Sequence, residues 1–358
     1  MARLGGLREA IARRGVGSFL ITNLVNIRYL TGFHGTAGLL LVGERECDLL
    51  VDPRYIGKAR DTVFEGVNVV GIDRGTGLRK AAAKLIRKRR VREVGYEPEF
   101  LHVQDLMLFR GRCPWLMMRP MKDLVREIRV VKDDEELVLL KKAAALGDRL
   151  FAELRALGSL VGRTENEMAR WFHHRAVDSG AEEIAFETIV AAGDHAAQPH
   201  AEPTDRRIAE GEVVVLDFGV RIEGYHSDMT RTLFAGQVDD RGRELYELVL
   251  RAQVAGLEMV RPGVGGSEVD DAARQVIAQA GYGDYFTHGL GHGVGLDIHE
   301  FPYLAESSRD VLAPGMVVTV EPGVYLPEWG GVRIEDLVVV TEDGCELLSG
   351  APKELTVA

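Results

Sequence analysis

The chain has 358 residues, a formal charge of -11, and 28% charged against 46% hydrophobic residues. That length exceeds one ordinary core, so two domains are expected, and the composition is that of a soluble globular protein. The acidic balance argues against nucleic-acid and anionic-membrane partners, which need a net basic face.

Taken in order, apolar spacing predicts an amphipathic helix from about Leu4 to Arg14, stopped by Gly15 and Gly17. Ser18 to Thr22, Leu39 to Val42 and the segment from Cys47 read as strands, with the glycine-bearing loop TGFHGTAG before the second. A helix over Thr76 to Arg90 and a strand at Glu93 to Tyr96 complete an α/β unit, and the basic run KLIRKRRVR within it reads as a solvated helix face. The domains are placed at residues 1–124 and 125–358. The second opens on a long helix over Lys132 to Gly158, with acids in its first turn where the helix dipole favours them. Thr164 with Glu167 forms a capping box for a helix to about Ser179, and Ile184 to Ala191 is a strand. Glu244 to Val260 is helical, and Ser267 with Asp270 suggests a second capping box for a helix to Ala280. Helices followed by an acidic hairpin thus occur twice, over about 130 to 240 and 241 to 358.

Those hairpins are the centre of the chain. In VVVLDFGVRIEGYHSDMTRT, an apolar run ends in Asp217 and the return segment carries Asp228. A turn at Arg221 to Gly224 would set the two acids directly opposite one another. Met316 to Val320 likewise runs into Glu321, and the returning Val332 to Val340 carries Glu335, the pair being symmetric about Glu328. If all four carboxylates shared one site, six pairs near 4 Å at an effective dielectric of about 20 would cost about 24 kcal/mol as an upper bound. A domain has only about 5–15 kcal/mol of stability. The hairpins lie apart, the acids are protonated, or cations sit between them; spacing alone leaves all three open. Strand parity puts Thr230 beside Asp228 and Arg333 beside Glu335, where each could orient its neighbouring acid. Histidines gather before each hairpin: His195 and His200, then His288, His292 and His299. In HGLGHGVGLDIHE the glycines exclude a helix, and a bend is needed for all three histidines to converge.

DFGxxxxGYxSDMTRT, PHAxPTDR, HGLGHGVGLDIHE, EPGxY and GGVRIED, in this order, resemble the dinuclear metallopeptidases of the pita-bread fold. They resemble especially the branch of Xaa-Pro aminopeptidase (aminopeptidase P) and Xaa-Pro dipeptidase (prolidase), and NIRYLTGFHGTAGLLLV resembles its smaller N-terminal domain. The resemblance implies an α+β chain, with a C-terminal pita-bread domain preceded by a creatinase-like α/β domain. It implies two divalent ions, manganese first and cobalt or zinc as alternatives, with Asp217, Asp228, His292, Glu321 and Glu335 as ligands. A water between the ions would attack the peptide carbonyl, with Glu321 as proton shuttle. His200 and His299 would contact the substrate at the scissile bond, and His288 would line the proline pocket. Arg333 and Tyr303 would complete the substrate site. Tyr225 receives no role.

Prolidases of this branch often carry arginine after HExP, where this chain has Tyr303 in HEFPY. That departure favours Xaa-Pro aminopeptidase action on longer peptides over strict dipeptidase action, unless Arg28 or Arg54 of a neighbouring subunit supplies the charge. Metal-free creatinase-like enzymes, protein-binding pita-bread modules and methionine aminopeptidases are the rival classes. The first two lose the ligands retained here, and the third usually lacks a large N-terminal domain. A homodimer is expected, with the N-terminal domain and its loop at His34 serving subunit contact. Three widely spaced cysteines, Cys47, Cys113 and Cys345, and a charged N-terminal stretch fit a cytoplasmic protein.

Overall fold

A computed structural model describes residues 2–358. Contacts divide it into two units that meet in sequence between Arg129 and Val130. The change falls a few residues beyond the expected 124/125, because the helix Leu124–Arg129 belongs to the first unit. Arg129 is buried there, and its Nη1 donates to Asn26 Oδ1 at 2.7 Å.

The first unit is built on a six-stranded mixed sheet with spatial order 68–71, 47–51, 39–43, 18–21, 93–96, 117–120. Helices Leu78–Lys88 and Val103–Arg112 cover it through Ala82, Ala83, Ile86 and Phe109, against Leu20, Leu41, Leu50 and Val94. The helix Leu24–Thr31 carries no sequence expectation. It is only eight residues long, and local chemistry bounds it: Asn23 accepts from the Val25 amide, and Gly32 closes it with φ 76°.

In the second unit the helix pair Asp134–Ala156 and Glu165–Asp178 precedes one sheet, and the pair Asp240–Met259 and Gly266–Gln279 precedes another. The Thr164 box forms as expected, and Asp133 with Glu136 makes another. The Ser267–Asp270 box does not form: the cap lies two residues earlier, at Gly265, and Glu268 accepts from the Gly265 amide at 2.7 Å. Asp270 is drawn into a buried ion pair instead. The first sheet has the order 356–357, 229–234, 213–218, 189–192. The expected strand Ile184 to Ala191 is broken into Glu183–Ile184 and Ile189–Ala192. The second sheet has the order 300–304, 291–293, 317–320, 336–340, 345–347, and the ribbon 323–326/330–333 stands as a separate two-stranded sheet. No helix among the described residues is long and apolar enough to cross a membrane.

Candidate metal centre and substrate cavity

Strand alternation delivers the first acids. Val214, Leu216 and Phe218 join one apolar cluster, Val213 and Val215 the other. Asp217 continues the Val213–Val215 row, so it places a carboxylate where the next core side chain would stand. It pairs with Thr230 and not, as expected, with Asp228. The turn is centred one residue later than a four-residue turn at Arg221 to Gly224 predicts, since Arg221 pairs with His226 and Ile222 with Tyr225. Its two central residues, Glu223 and Gly224, have φ of 47° and 85°, as a two-residue hairpin loop requires. Asp228 is therefore the diagonal neighbour of Asp217 and keeps the same face. The second hairpin has the expected centre: Val320 pairs with Asp336 and Gly323 with Arg333, flanking Glu321 and Glu335 about Glu328.

The two hairpins converge. One oxygen each of Asp217, Asp228 and Glu335 lies within 4.8 Å of the others. His292 Nε2 stands 3.6 Å from Asp228 Oδ2 and 3.4 Å from Glu321 Oε1. The His292 Nδ1 lies 3.1 Å from the Gly293 carbonyl, so Nδ1 donates there and Nε2 keeps its lone pair facing the acids. Burial, and then the neighbouring His299, lower its pKa to about 3, so the ring is neutral. The bend anticipated in HGLGHGVGLDIHE is a register shift after His292, which brings the His292 and His299 rings to 4.3 Å between centroids.

Without a cation this is a costly arrangement. Burial, and then repulsion from the other acids, push Asp228 and Glu335 well above the usual carboxylate range, and burial raises Glu321 to about 7. Asp217 is also raised by burial, against the pull of Arg333. The buried Asp217 Oδ1 and Glu335 Oε1 have no hydrogen-bond partner among the described residues. Free carboxylate oxygens beside an uncharged imidazole fit a divalent cation, for which an oxygen-rich shell with a single nitrogen is suited.

The residues that hold the acids are crossed relative to expectation. Thr230 Oγ1 donates to Glu335 Oε2 at 2.7 Å, while Arg333 Nη2 donates to Asp217 Oδ2 at 2.7 Å, each reaching the opposite hairpin. Arg333 also donates from Nε to Thr230 Oγ1 and from Nη1 to Tyr325 Oη. Three supports carry no sequence expectation. Tyr325 lies between Arg333 and His288; Thr319 donates to Glu321 Oε1 at 3.0 Å; and buried Arg231 donates to the Glu335 and Thr230 carbonyls, balanced by Asp336. Tyr325 in EPGxY and Arg231 in SDMTRT both stand within the quoted motifs and could have been noticed, but nothing in Thr319 announces a role. Tyr225 donates to Glu136 Oε1 at 2.9 Å and ties the hairpin tip to the long helix. His195 is held by buried Glu165 at 2.9 Å, a structural histidine.

The acids open on a cavity of about 540 Å³ lined by His200, Asp217, Asp228, His288, His292, His299, Tyr303, Glu321 and Arg333. Glu335 lies behind it, 1% exposed. Phe186, Ile189, Pro199 and Pro203 supply an apolar wall.

The chain matches the Creatinase/Prolidase N-terminal domain over residues 3–131 and Metallopeptidase family M24 over residues 138–342. The Xaa-Pro dipeptidase of Pyrococcus furiosus is 43% identical over 234 residues, covering 65% of this chain and 67% of that one. A solved structure of Xaa-Pro dipeptidase from Bacillus anthracis superposes with a TM-score of 0.96 at 36% identity, covering 100% of this chain and 99% of that one. The X-Pro aminopeptidase of Thermotoga maritima superposes with a TM-score of 0.90 at 32% identity, covering 98% and 100%. With its acids and histidine gathered at one cavity, and a creatinase-type domain preceding them in sequence, the chain belongs to metallopeptidase family M24.

Proposed function

We propose that the protein is a Xaa-Pro aminopeptidase, a metallo-exopeptidase that removes the first residue from peptides with proline in second position. The observation that carries this is the convergence of Asp217, Asp228 and Glu335 within 4.8 Å, with unpartnered buried oxygens on Asp217 and Glu335, where Asp217 and Asp228 line the cavity. Asp217, Asp228, His292, Glu321 and Glu335 would hold two divalent ions, manganese first. Such ions polarise the substrate carbonyl and lower the pKa of water, so that a nucleophile exists at neutral pH. Glu321, held through Oε1 by Thr319, would accept and return a proton. His200 and His299, on the exposed side of the cavity, would bind the substrate at the scissile bond, and His299 would hydrogen-bond its developing oxyanion. His288 and Tyr303 bound the cavity, and Arg333 fixes Asp217.

Preference for longer peptides over dipeptides rests on charge. A dipeptide brings a free carboxylate one residue past the scissile bond, and Arg333 is the cavity's only lysine or arginine among the described residues. Its Nε, Nη1 and Nη2 are already engaged by Thr230, Tyr325 with the Pro199 carbonyl, and Asp217. The dipeptidase reading is favoured by the Bacillus anthracis structure, which is called a Xaa-Pro dipeptidase. Hydrolysis of a Xaa-Pro dipeptide and a Xaa-Pro tripeptide, each with manganese, decides between them; cleavage of the dipeptide alone overturns the aminopeptidase assignment. A cytoplasmic homodimer completes the proposal, and light scattering showing a fully active monomer would count against the dimer.

A further inference from the structure

The strip leading to His292 is held from behind by the helix Gly266–Gln279. Arg274 donates from Nη1 to the Phe286 carbonyl at 2.9 Å and from Nη2 to the His288 carbonyl at 2.8 Å. Its guanidinium also lies 4.1 Å from the centre of the Phe286 ring. Asp270, one turn earlier and fully buried, binds Arg274 Nε and Nη2 at 2.7 and 2.9 Å and accepts from the Leu290 amide at 2.9 Å. One ion pair thus fixes residues 286, 288 and 290 of the bent strip that leads into the strand at Gly291, through backbone groups. The exposed Glu306 comes no closer than 3.8 Å to Arg274 Nε and does not compete.

What the strip presents is the ring of His288. Its Nδ1 lies 2.8 Å from the Gly289 carbonyl and its Nε2 2.9 Å from Tyr325 Oη. Nδ1 therefore donates and Nε2 accepts, so both nitrogens are used within the wall and carbon faces the cavity. The position of that apolar face depends on the backbone strip, and the strip depends on the fork of Arg274. A planar guanidinium can span two carbonyls and a carboxylate, and an ammonium cannot reproduce that geometry.

We propose that Arg274 is a positioning residue for substrate selection: through the Asp270–Arg274 clamp it sets where His288 stands, and so how tightly the residue after the scissile bond is held. This rests on the Xaa-Pro assignment above. The test compares manganese-loaded wild type, Arg274→Lys, His288→Ala and the double variant on a Xaa-Pro tripeptide, with hydrogen exchange followed over residues 286–292. Arg274→Lys should raise KM about tenfold with kcat little changed, since the lost interaction positions substrate and does not touch the reacting atoms. Exchange over the strip should accelerate while manganese affinity stays at the wild-type value. In the His288→Ala background the lysine substitution should add no further change in KM. Asp270→Asn, which keeps an acceptor for the Leu290 amide, should shift KM in the same direction by less. Unchanged exchange or unchanged KM in Arg274→Lys overturns the proposal, as do KM effects that multiply in the double variant. So does a parallel loss of kcat, metal affinity and melting temperature. A wild type inert towards Xaa-Pro peptides defeats the substrate assignment instead, and exchange over the strip then tests the clamp independently of any substrate.

Discussion

Thr230 joins the two acid-bearing hairpins, and removing its hydroxyl is the sharpest probe of how they cooperate. The residue is fully buried; its Oγ1 donates to Glu335 Oε2 at 2.7 Å and accepts from Arg333 Nε at 3.0 Å. Thr230→Val preserves shape and deletes both bonds. A hydrogen bond to a charged group contributes ~1.5–3 kcal/mol, so the pair is worth ~3–6 kcal/mol at most, divided between folding and ligand orientation. Partners that orient a metal ligand typically change metal affinity by about 10–100-fold when lost, and that is the loss expected for manganese here. Calorimetric titration of chelator-stripped protein measures it directly. Thr230→Ser, which keeps the hydroxyl, should retain most of the affinity. Wild-type manganese binding by the valine variant would refute the crossed-support account, as would equal weakening by serine, which would point to packing and not to the hydroxyl.

Chelation should reverse the pH dependence of stability. In the metal-free protein Glu321 is raised to about 7, and Asp228 and Glu335 are raised well above the usual carboxylate range, all chiefly by burial. The folded state then holds protons that the unfolded chain releases near the ordinary carboxylate value. The stability these acids contribute is fully present below about pH 4 and is lost as pH rises through 7. Between about pH 4 and 6.5 the buried neutral His288 and His292, lowered to about 4 and about 3, act in the opposite sense, so the acids are read above that window. Melting temperature in chelator should decline from about pH 7 to about pH 9, and saturating manganese should remove the decline; a rise over that range in chelator contradicts the burial of these acids. Tyr303→Arg should raise kcat/KM for a Xaa-Pro dipeptide relative to the tripeptide by at least about tenfold, the value of one modest new charge contact; an unchanged ratio would show that position 303 does not face the product carboxylate. Gly219→Ala should abolish soluble, metal-binding protein, because the new Cβ would lie 1.9 Å from the Ser227 carbonyl beside Asp228. The cost exceeds the ~1–3 kcal/mol of ordinary overpacking, as the obstructing atom is backbone; a variant melting within a few degrees of wild type would contradict it.

Charge placed at the ends of apolar runs makes the acids legible. Asp217 after VVVL and Glu321 after MVVTV interrupt runs that otherwise read as buried strands, and symmetry about Glu328 supplies the second register correctly. The first register fails because it presumes a turn four residues wide, whereas Glu223 and Gly224 alone make it. The error does not move Asp228 to the other face, since the shift in pairing is two positions and side-chain direction repeats every two. Long-range partners are the illegible part. Nothing local links Asp270 to Leu290, or Thr230 to Glu335; such contacts arise only when separate elements meet. The Ser267–Asp270 box fails for a local reason: the helix is capped at Gly265 by Glu268, and Asp270 pairs one turn on with the partly buried Arg274.

Glu335 on the second ribbon lies 105 positions after Thr230, its partner on the first. During synthesis the early ribbon therefore waits with Asp217 and Asp228 unmatched while the intervening polypeptide is made, and loop closure over that span must come before any chelation. Ion capture is thus a late checkpoint of maturation. A ribosome stalled before the second ribbon would release a product able to form its helices yet lacking the acids that complete the cluster.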